Sequence, residues 1–139
     1  MVRINLIDPK KLADQHLIAE YNEILMLLGY VRLHPKREGI PKHYKLGAGH
    51  IKFFKDKLKY IKDRHEIIKV EMKRRNYQTN KTINLNEFSE ALANDWTPRK
   101  EDFKIIKERI KEKLTLKPEF YTYEREHRPF SFFLDLIDK

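Results

Sequence analysis

Apolar side chains recur along this chain every three or four residues, the period of a helix with one packed face. Leu12, Leu17, Ile24 and Leu27-Leu28 follow that spacing, with His16, Ala19 and Glu20 in the registers between. Asp8 suits an N-cap, Pro9 a first helical position and Gly29 a stop, so a first helix is predicted near residues 9–28. Residues 2–8 form an extended arm before it. Pro35, Pro41, Gly39, Gly47 and Gly49 break the period over residues 30–49 and mark a loop rich in Lys, Arg and His. The longest stripe follows: Ile51, Phe54, Leu58, Ile61, His65, Ile68 and Met72 predict one continuous helix near residues 48–75. Its remaining faces are basic.

Residues 76–84 are polar, and a short helix is expected near 85–93. Thr97 then caps a third long helix near 98–115, with Pro98 at its first position and Phe103, Ile106, Ile110 and Leu114 as its stripe. From Pro118 the chain is aromatic: Phe120, Tyr121, Tyr123, Phe130, Phe132 and Phe133. No strand pair stands out. The expected fold is a compact all-α single domain over residues 1–139, with three principal helices, an extended N-terminal arm and an aromatic C-terminal tail.

Charge adds a partner to this picture. The 139 residues carry 30 Lys+Arg against 21 Asp+Glu, a formal net charge of +9, which favours a polyanion such as nucleic acid. The absence of cysteine excludes disulfides, Cys-ligated metals and thiol chemistry and is compatible with a reducing cytosol. No apolar run reaches the length of a membrane span, and the N-terminus lacks the apolar core of a signal peptide.

Several residues admit both a chemical and a structural reading. Removal of Met1 would leave the α-amine of Val2. At about pH 7.4 roughly a fifth to a third of such an amine is neutral, against about 0.1% of a lysine. That makes it a natural imine former, although every chain has an N-terminus. Glu23 is either a carboxylate beside such an amine or a solvated helix-face glutamate. His16, Glu20 and Glu23 stack at helical spacing, yet no dense ligand pattern accompanies them and no metal is expected. Gly47-Ala48-Gly49-His50 is either a phosphate-binding turn or a plain helix entrance. Arg109 and Lys113, four apart on one helix, either hold successive phosphates or form a solvated face with Glu108 and Glu112. The aromatic tail either stacks on bases or seals the core.

The opening of the chain carries a resemblance. Arg3-Ile4-Asn5-Leu6, Leu12-Ala13-Asp14-Gln15-His16-Leu17 and Ala19-Glu20-Tyr21 with Glu23 resemble the start of the pyrimidine-dimer DNA glycosylases, the dimer-specific enzymes called endonuclease V. Leu46-Gly47-Ala48-Gly49-His50, Phe53-Phe54, Asp56-Lys57-Leu58 and Lys73-Arg74 extend it through the middle of the chain. Arg109 with Lys113 and the segment from Pro118 to Tyr123 extend it towards the end.

The resemblance implies a bifunctional glycosylase and abasic-site lyase acting on damaged double-stranded DNA as a monomer, without cofactor, metal or membrane, in the cytoplasm near the nucleoid. It implies that the amine of Val2, after loss of Met1, forms an imine with C1′, and that Glu23 stabilises it and assists β-elimination. Arg3, Gln15, His16, Arg109 and Lys113 are the implied DNA contacts. Val2 stands where the family has threonine, Asn22 and Met26 where it has arginines, and Phe120 where it has tryptophan. These departures keep a second reading open, a lesion-binding protein of the same fold with impaired catalysis or altered specificity.

Overall fold

The computed structural model describes residues 2–139, and its predicted stripes face one shared interior. Helix α1 (Asp14–Leu33) buries Leu17, Tyr21, Ile24, Leu27, Leu28 and Val31, chiefly against α3 (Leu58–Arg74), which buries Leu58, Ile61, His65, Ile68 and Met72. Helix α4 (Lys100–Leu116) contributes Ile106, Ile110 and Leu114 and packs on α5 (Phe130–Asp138), whose Phe133 and Ile137 are buried. The short α2 (His50–Phe54) inserts Phe53 and Phe54. The architecture is all-α, with a hairpin of two-residue strands, β1 (Thr122–Tyr123) and β2 (Glu126–His127), as its sheet.

Local backbone chemistry moves several boundaries from their predicted places. The expected helix start at Pro9 is a single 3-10 turn, Pro9–Lys11, capped when Asp8 Oδ1 accepts the Lys10 N–H at 3.0 Å. The chain re-extends at Leu12 and Ala13 before α1 begins. Gly29 does not stop α1. Pro35 does, by disfavouring the helical region for His34, whose φ of −130° and ψ of 67° lie outside it.

The predicted helix over 48–75 is two helices. At Lys57 the chain leaves the helical region and forms an isolated antiparallel bridge with Ala93, while Asn94 Nδ2 donates to the Asp56 carbonyl at 3.0 Å. The expected helix over 85–93 is only the 3-10 turn Glu90–Leu92, which places Leu92 in the core. Thr97 does not cap α4. Pro98 follows it, and the helix starts beyond Arg99, whose N–H donates to Asp102 Oδ2 at 2.8 Å. The hairpin corrects the expectation of no strand pair, and α5 adds a helix in the aromatic tail beyond the three expected. Tyr121 and Phe133 of that tail are core residues, while Phe120 is exposed.

The supposedly uniform basic face of the long helix is also corrected, because Arg64 and Arg75 point inward and are 3% exposed. Arg75 donates to Glu71 Oε2 at 2.7 Å, Asp14 Oδ1 at 3.0 Å and the Leu12 and Pro9 carbonyls at 2.8 and 3.1 Å. Asp14 also accepts from the Thr122 hydroxyl at 2.6 Å and from the N–H groups of Glu124 and Arg125. These hydrogen bonds, with Arg75, hold the Asp14 carboxyl below its usual range against the opposing effect of burial. One buried node thus ties the 3-10 turn, α1, α3 and the hairpin. Arg75→Ala leaves Asp14 and Glu71 without their shared cation and is expected to cost about 3–5 kcal/mol in urea unfolding. A loss under 1 kcal/mol would exclude this role.

Candidate active site

The N-terminal arm is not a loose strand. Val2, Ile4, Asn5, Leu6 and Ile7 are all buried, and four backbone groups of the arm are gripped by side chains from elsewhere in the fold. Ile4 donates its N–H to His50 Nε2 at 2.9 Å, and its carbonyl accepts from the Tyr44 hydroxyl at 3.0 Å. His50 Nδ1 lies 2.8 Å from the Lys45 carbonyl, so Nδ1 carries the proton and Nε2 is the acceptor. Arg64 donates to the Ile7 carbonyl at 2.6 Å.

Between these grips the arm turns sharply. The Ile7 N–H donates to the Asn5 carbonyl at 2.6 Å around Leu6, whose φ is +62°. A leucine in that region is strained and persists only where its surroundings impose it. The imposing group is Glu20, which is fully buried. Its carboxylate accepts two bonds from Arg64, at 2.7 and 2.9 Å, and one from Asn5 Nδ2 at 2.9 Å. Asn5 Oδ1 in turn accepts from Arg3 Nε at 2.9 Å. A chain of hydrogen bonds therefore runs from the Arg3 guanidinium through Asn5 and Glu20 to Arg64.

The arm so held meets Glu23 on the next turn of α1. The Arg3 N–H donates to Glu23 Oε1 at 2.8 Å. Val2, Arg3 and Glu23 line a cavity of about 160 Å³, which is closed by Leu46 and Gly47 before α2, by His50, and by Arg109 and Lys113 of α4. Burial pushes the Glu23 carboxyl above its ordinary range, outweighing the Arg3 N–H and guanidinium, which pull it down. Such a carboxylate is more basic than a solvated one and sits beside cations that attract an anionic substrate.

Of the residues expected to act, the structure brings Val2, Arg3, Glu23, Arg109 and Lys113 to one cavity. His16 is behind it, 6% exposed, with its ring 4.8 Å from Tyr121. Burial, with Arg3 and Lys113 nearby, holds the His16 pKa down to about 3, so it is neutral. Gln15 is turned to the tail: its amide donates to Thr122 Oγ1 at 3.0 Å and accepts the Thr122 N–H at 2.9 Å. Asn22 and Met26 are exposed on α1 beside Glu23. The expected removal of Met1 concerns a residue outside the described ones. His16, Glu20 and Glu23 do not converge, since Glu20 is engaged by Arg64, and among the described residues no cluster of metal-ligating side chains occurs.

The sequence reading passed over Asn5, Tyr44, His50 and Arg64 as parts of this site. Arg64 did carry a signal, because it lies three residues after Ile61 and four before Ile68, on the flank of a buried stripe.

The buried histidines set a pH dependence. The pKa values of His16, His50 and His65 are all lowered, in each case chiefly by burial. The unfolded chain therefore binds protons near pH 6.5 while the folded chain does not. Stability present above pH 6.5 is lost as pH falls towards about 3. Glu23, whose pKa is raised, works the other way but is one group against three. The carboxyls of Asp14, Asp56 and Glu71 are lowered and lose their contribution only below the ordinary carboxylate range. Urea unfolding is expected to show lower stability at about pH 5 than at about pH 7. Equal or higher stability at the lower pH would contradict the neutral, buried assignment.

A family model described as pyrimidine dimer DNA glycosylase matches residues 1–100, which include the arm, Glu23, His50 and Arg64 and end before Arg109 and Lys113.

Proposed function

The chain belongs to the pyrimidine dimer DNA glycosylase family, and from that premise we propose that it excises a damaged base and then cleaves the strand with the α-amine of Val2 as nucleophile. The observation that carries this reading is the hydrogen bond from the Arg3 N–H to Glu23. One residue spans at most about 3.6 Å, so the nitrogen of residue 2 lies within that distance of a nitrogen bonded to the carboxylate. The arm's clamps hold it there.

After loss of Met1, the amine lone pair attacks C1′ and the bond from C1′ to the base breaks. The departing base takes a proton from solvent, and the amine passes one of its own to the ring oxygen as the sugar opens to an iminium. Glu23, anionic and partly desolvated, lies beside this cation and stabilises it. It then removes a proton from C2′. The electron pair so freed expels the 3′ phosphate, and water hydrolyses the imine to return the amine. Arg3, Arg109 and Lys113 line the cavity as cations for the phosphates that flank the lesion. The buried, neutral His16 supports Lys113 and Arg3 from behind by adding no positive charge of its own. Gln15 serves by fixing the tail against α1.

Borohydride reduction on a duplex with one abasic site tests this directly. The expected product is a covalent adduct on the amine of Val2, mapped by mass spectrometry. Protein with a confirmed Val2 terminus that binds the duplex and gives no adduct would replace this reading with a non-catalytic lesion-binding protein. Glu23→Gln is expected to keep DNA binding and lose strand cleavage, and undiminished cleavage would remove Glu23 from the mechanism. The acid limb of the cleavage profile is expected above the ordinary glutamate value of 4.5, because Glu23 must ionise and burial raises its pKa.

Asn5→Ala breaks the link between Arg3 and Glu20. It is expected to lower kcat about 10–100-fold with little change in KM, since the arm loses its alignment rather than its DNA contacts. An unchanged kcat would show that the arm keeps its place without Asn5.

A further inference from the structure

His50 also lines the cavity at Glu23, yet neither the amine nor the phosphates call on it. A histidine in such a place is the usual candidate for a general acid or base. Its hydrogen bonds exclude that work. Nδ1 donates to the Lys45 carbonyl at 2.8 Å, and Nε2 accepts the Ile4 N–H at 2.9 Å. The side chain is 2% exposed, and the rings of Phe54 and Tyr44 stand edge-on to it at 5.3 and 5.4 Å. With both nitrogens on backbone groups, the ring has no proton to hand to a substrate and no free lone pair to take one.

What His50 holds is the arm. Ile4 follows directly on Arg3, whose N–H reaches Glu23, and stands two places after Val2. The Ile4 carbonyl accepts from the Tyr44 hydroxyl, so the segment 44–50 grips both polar groups of one residue. The grip on the N–H lasts only while Nε2 has a lone pair. A proton there sets two N–H donors against each other in a site closed to water. Exchange of tautomers offers no escape, because the Lys45 carbonyl requires the proton on Nδ1.

We infer that His50 is a positioning residue that works as a proton-operated catch: neutral, it seats Ile4 and with it the amine of Val2 beside Glu23, and protonated, it frees these first residues while the duplex stays bound. The part played by the amine rests on the glycosylase reading. Arg64 and Glu20 still hold the arm further along, at Ile7 and Asn5, so the fold survives the release. Arg109 and Lys113 belong to α4 and do not depend on the arm, so binding survives it too.

The groups that face His50 are Arg3 from the arm, Glu20 and Glu23 from α1, Tyr44 and the Lys45 carbonyl from the loop, and Arg109 and Lys113 from α4. Burial, Arg3 and Arg109 oppose its charging and outweigh the Lys45 carbonyl and Glu20, so it titrates below the ordinary 6.5. The seated arm is therefore favoured above pH 6.5 and is lost as pH falls through the lowered value.

The test compares the intact chain with His50→Gln, which offers an uncharged acceptor, and His50→Phe, which keeps a ring without one. Near-ultraviolet circular dichroism checks each fold at each pH. NMR of isotope-labelled histidine and isoleucine follows the His50 ring nitrogens and the Ile4 amide from about pH 8 to about pH 5. In the intact chain the two are expected to shift together, and in His50→Gln the Ile4 amide is expected to stay in place. The single-turnover rate of borohydride-trapped adduct formation on an abasic duplex, at saturating protein, is measured over the same range. Ionisation of the amine and of Glu23 acts on all three chains and cancels in ratios of their rates. The ratio of intact to His50→Gln is expected to be level at high pH and to fall in proportion to proton concentration below the pH at which Ile4 shifts. His50→Phe is expected to be about 10–100-fold slower than the intact chain at about pH 7.5 with duplex affinity unchanged, and its ratio to His50→Gln is expected to be level throughout.

A level ratio for the intact chain, or an Ile4 amide that does not move with His50, would overturn the proposal. Global unfolding at the same pH would do so as well, since the arm would then have no transition of its own. If neither variant folds, the intact chain decides alone: the Ile4 amide must shift with His50 while the duplex stays bound, and loss of binding at that pH overturns the catch. An Ile4 shift with no adduct at any pH keeps the catch and removes the chemistry of Val2. An adduct with a level ratio keeps that chemistry and removes the catch.

Discussion

The buried pair of Glu20 and Arg64 is the constraint on which the cavity at Glu23 depends. Both side chains are almost wholly withdrawn from water, and such pairs gain little net stability, because desolvation offsets their attraction. What the pair supplies is location. Once two of its donors are fixed on Glu20, Arg64 directs a third at the Ile7 carbonyl. Glu20 in turn fixes the amide of Asn5. Two points on the arm are set by one rigid object, and the strained backbone of Leu6 is the geometric result. His50 and Tyr44 set a third point at Ile4. The Arg3 N–H then has one place to go, the carboxylate of Glu23.

A second polar node, built from Asp14, Glu71 and Arg75, does for the tail what the first does for the arm. It joins the hairpin to the start of α1, and Tyr121 lies against His16 as a consequence. The cavity wall made by α4 is thereby brought opposite the arm. Apolar packing alone would leave both ends of the chain free to shift over the core, since hydrophobic contact is not directional. The two nodes are directional. They convert a helical core that many sequences could build into one with a defined cavity.

Much of the helical layout was legible because long amphipathic stripes leave a strong periodic signal, as in α1, α3 and α4. The breaks were harder to see. Nothing in Lys55-Asp56-Lys57 announces a bend, because the bend is made by Ala93 and Asn94 far away in the chain. The tail helix was hidden by its aromatic composition, which reads equally as a base-stacking surface or as core. At the site, Val2, Arg3, Glu23, Arg109 and Lys113 were named through a resemblance. Their supports were not, because a buried arginine and a surface arginine are the same letter. Arg64 and Arg75 were counted with the basic faces of the long helix; the place of Arg64 beside the buried stripe is a weak sign of its interior role, and its partners and those of Arg75 reveal it fully. His50 was read within a turn that either binds phosphate or opens a helix; it does open α2, and its acceptance of one backbone N–H from the arm was not visible in the sequence.

The arm's anchors also impose an order of events during synthesis. Ile7 waits for Arg64, which lies 57 residues further along the chain, and Ile4 waits for His50, 46 residues away. At about 5–20 residues per second the arm therefore stays undocked for roughly 3–11 s after it is made. Once docked, the side chain of Val2 is withdrawn into the core, 6% exposed, so the arm is open to solvent along its whole length only during that interval.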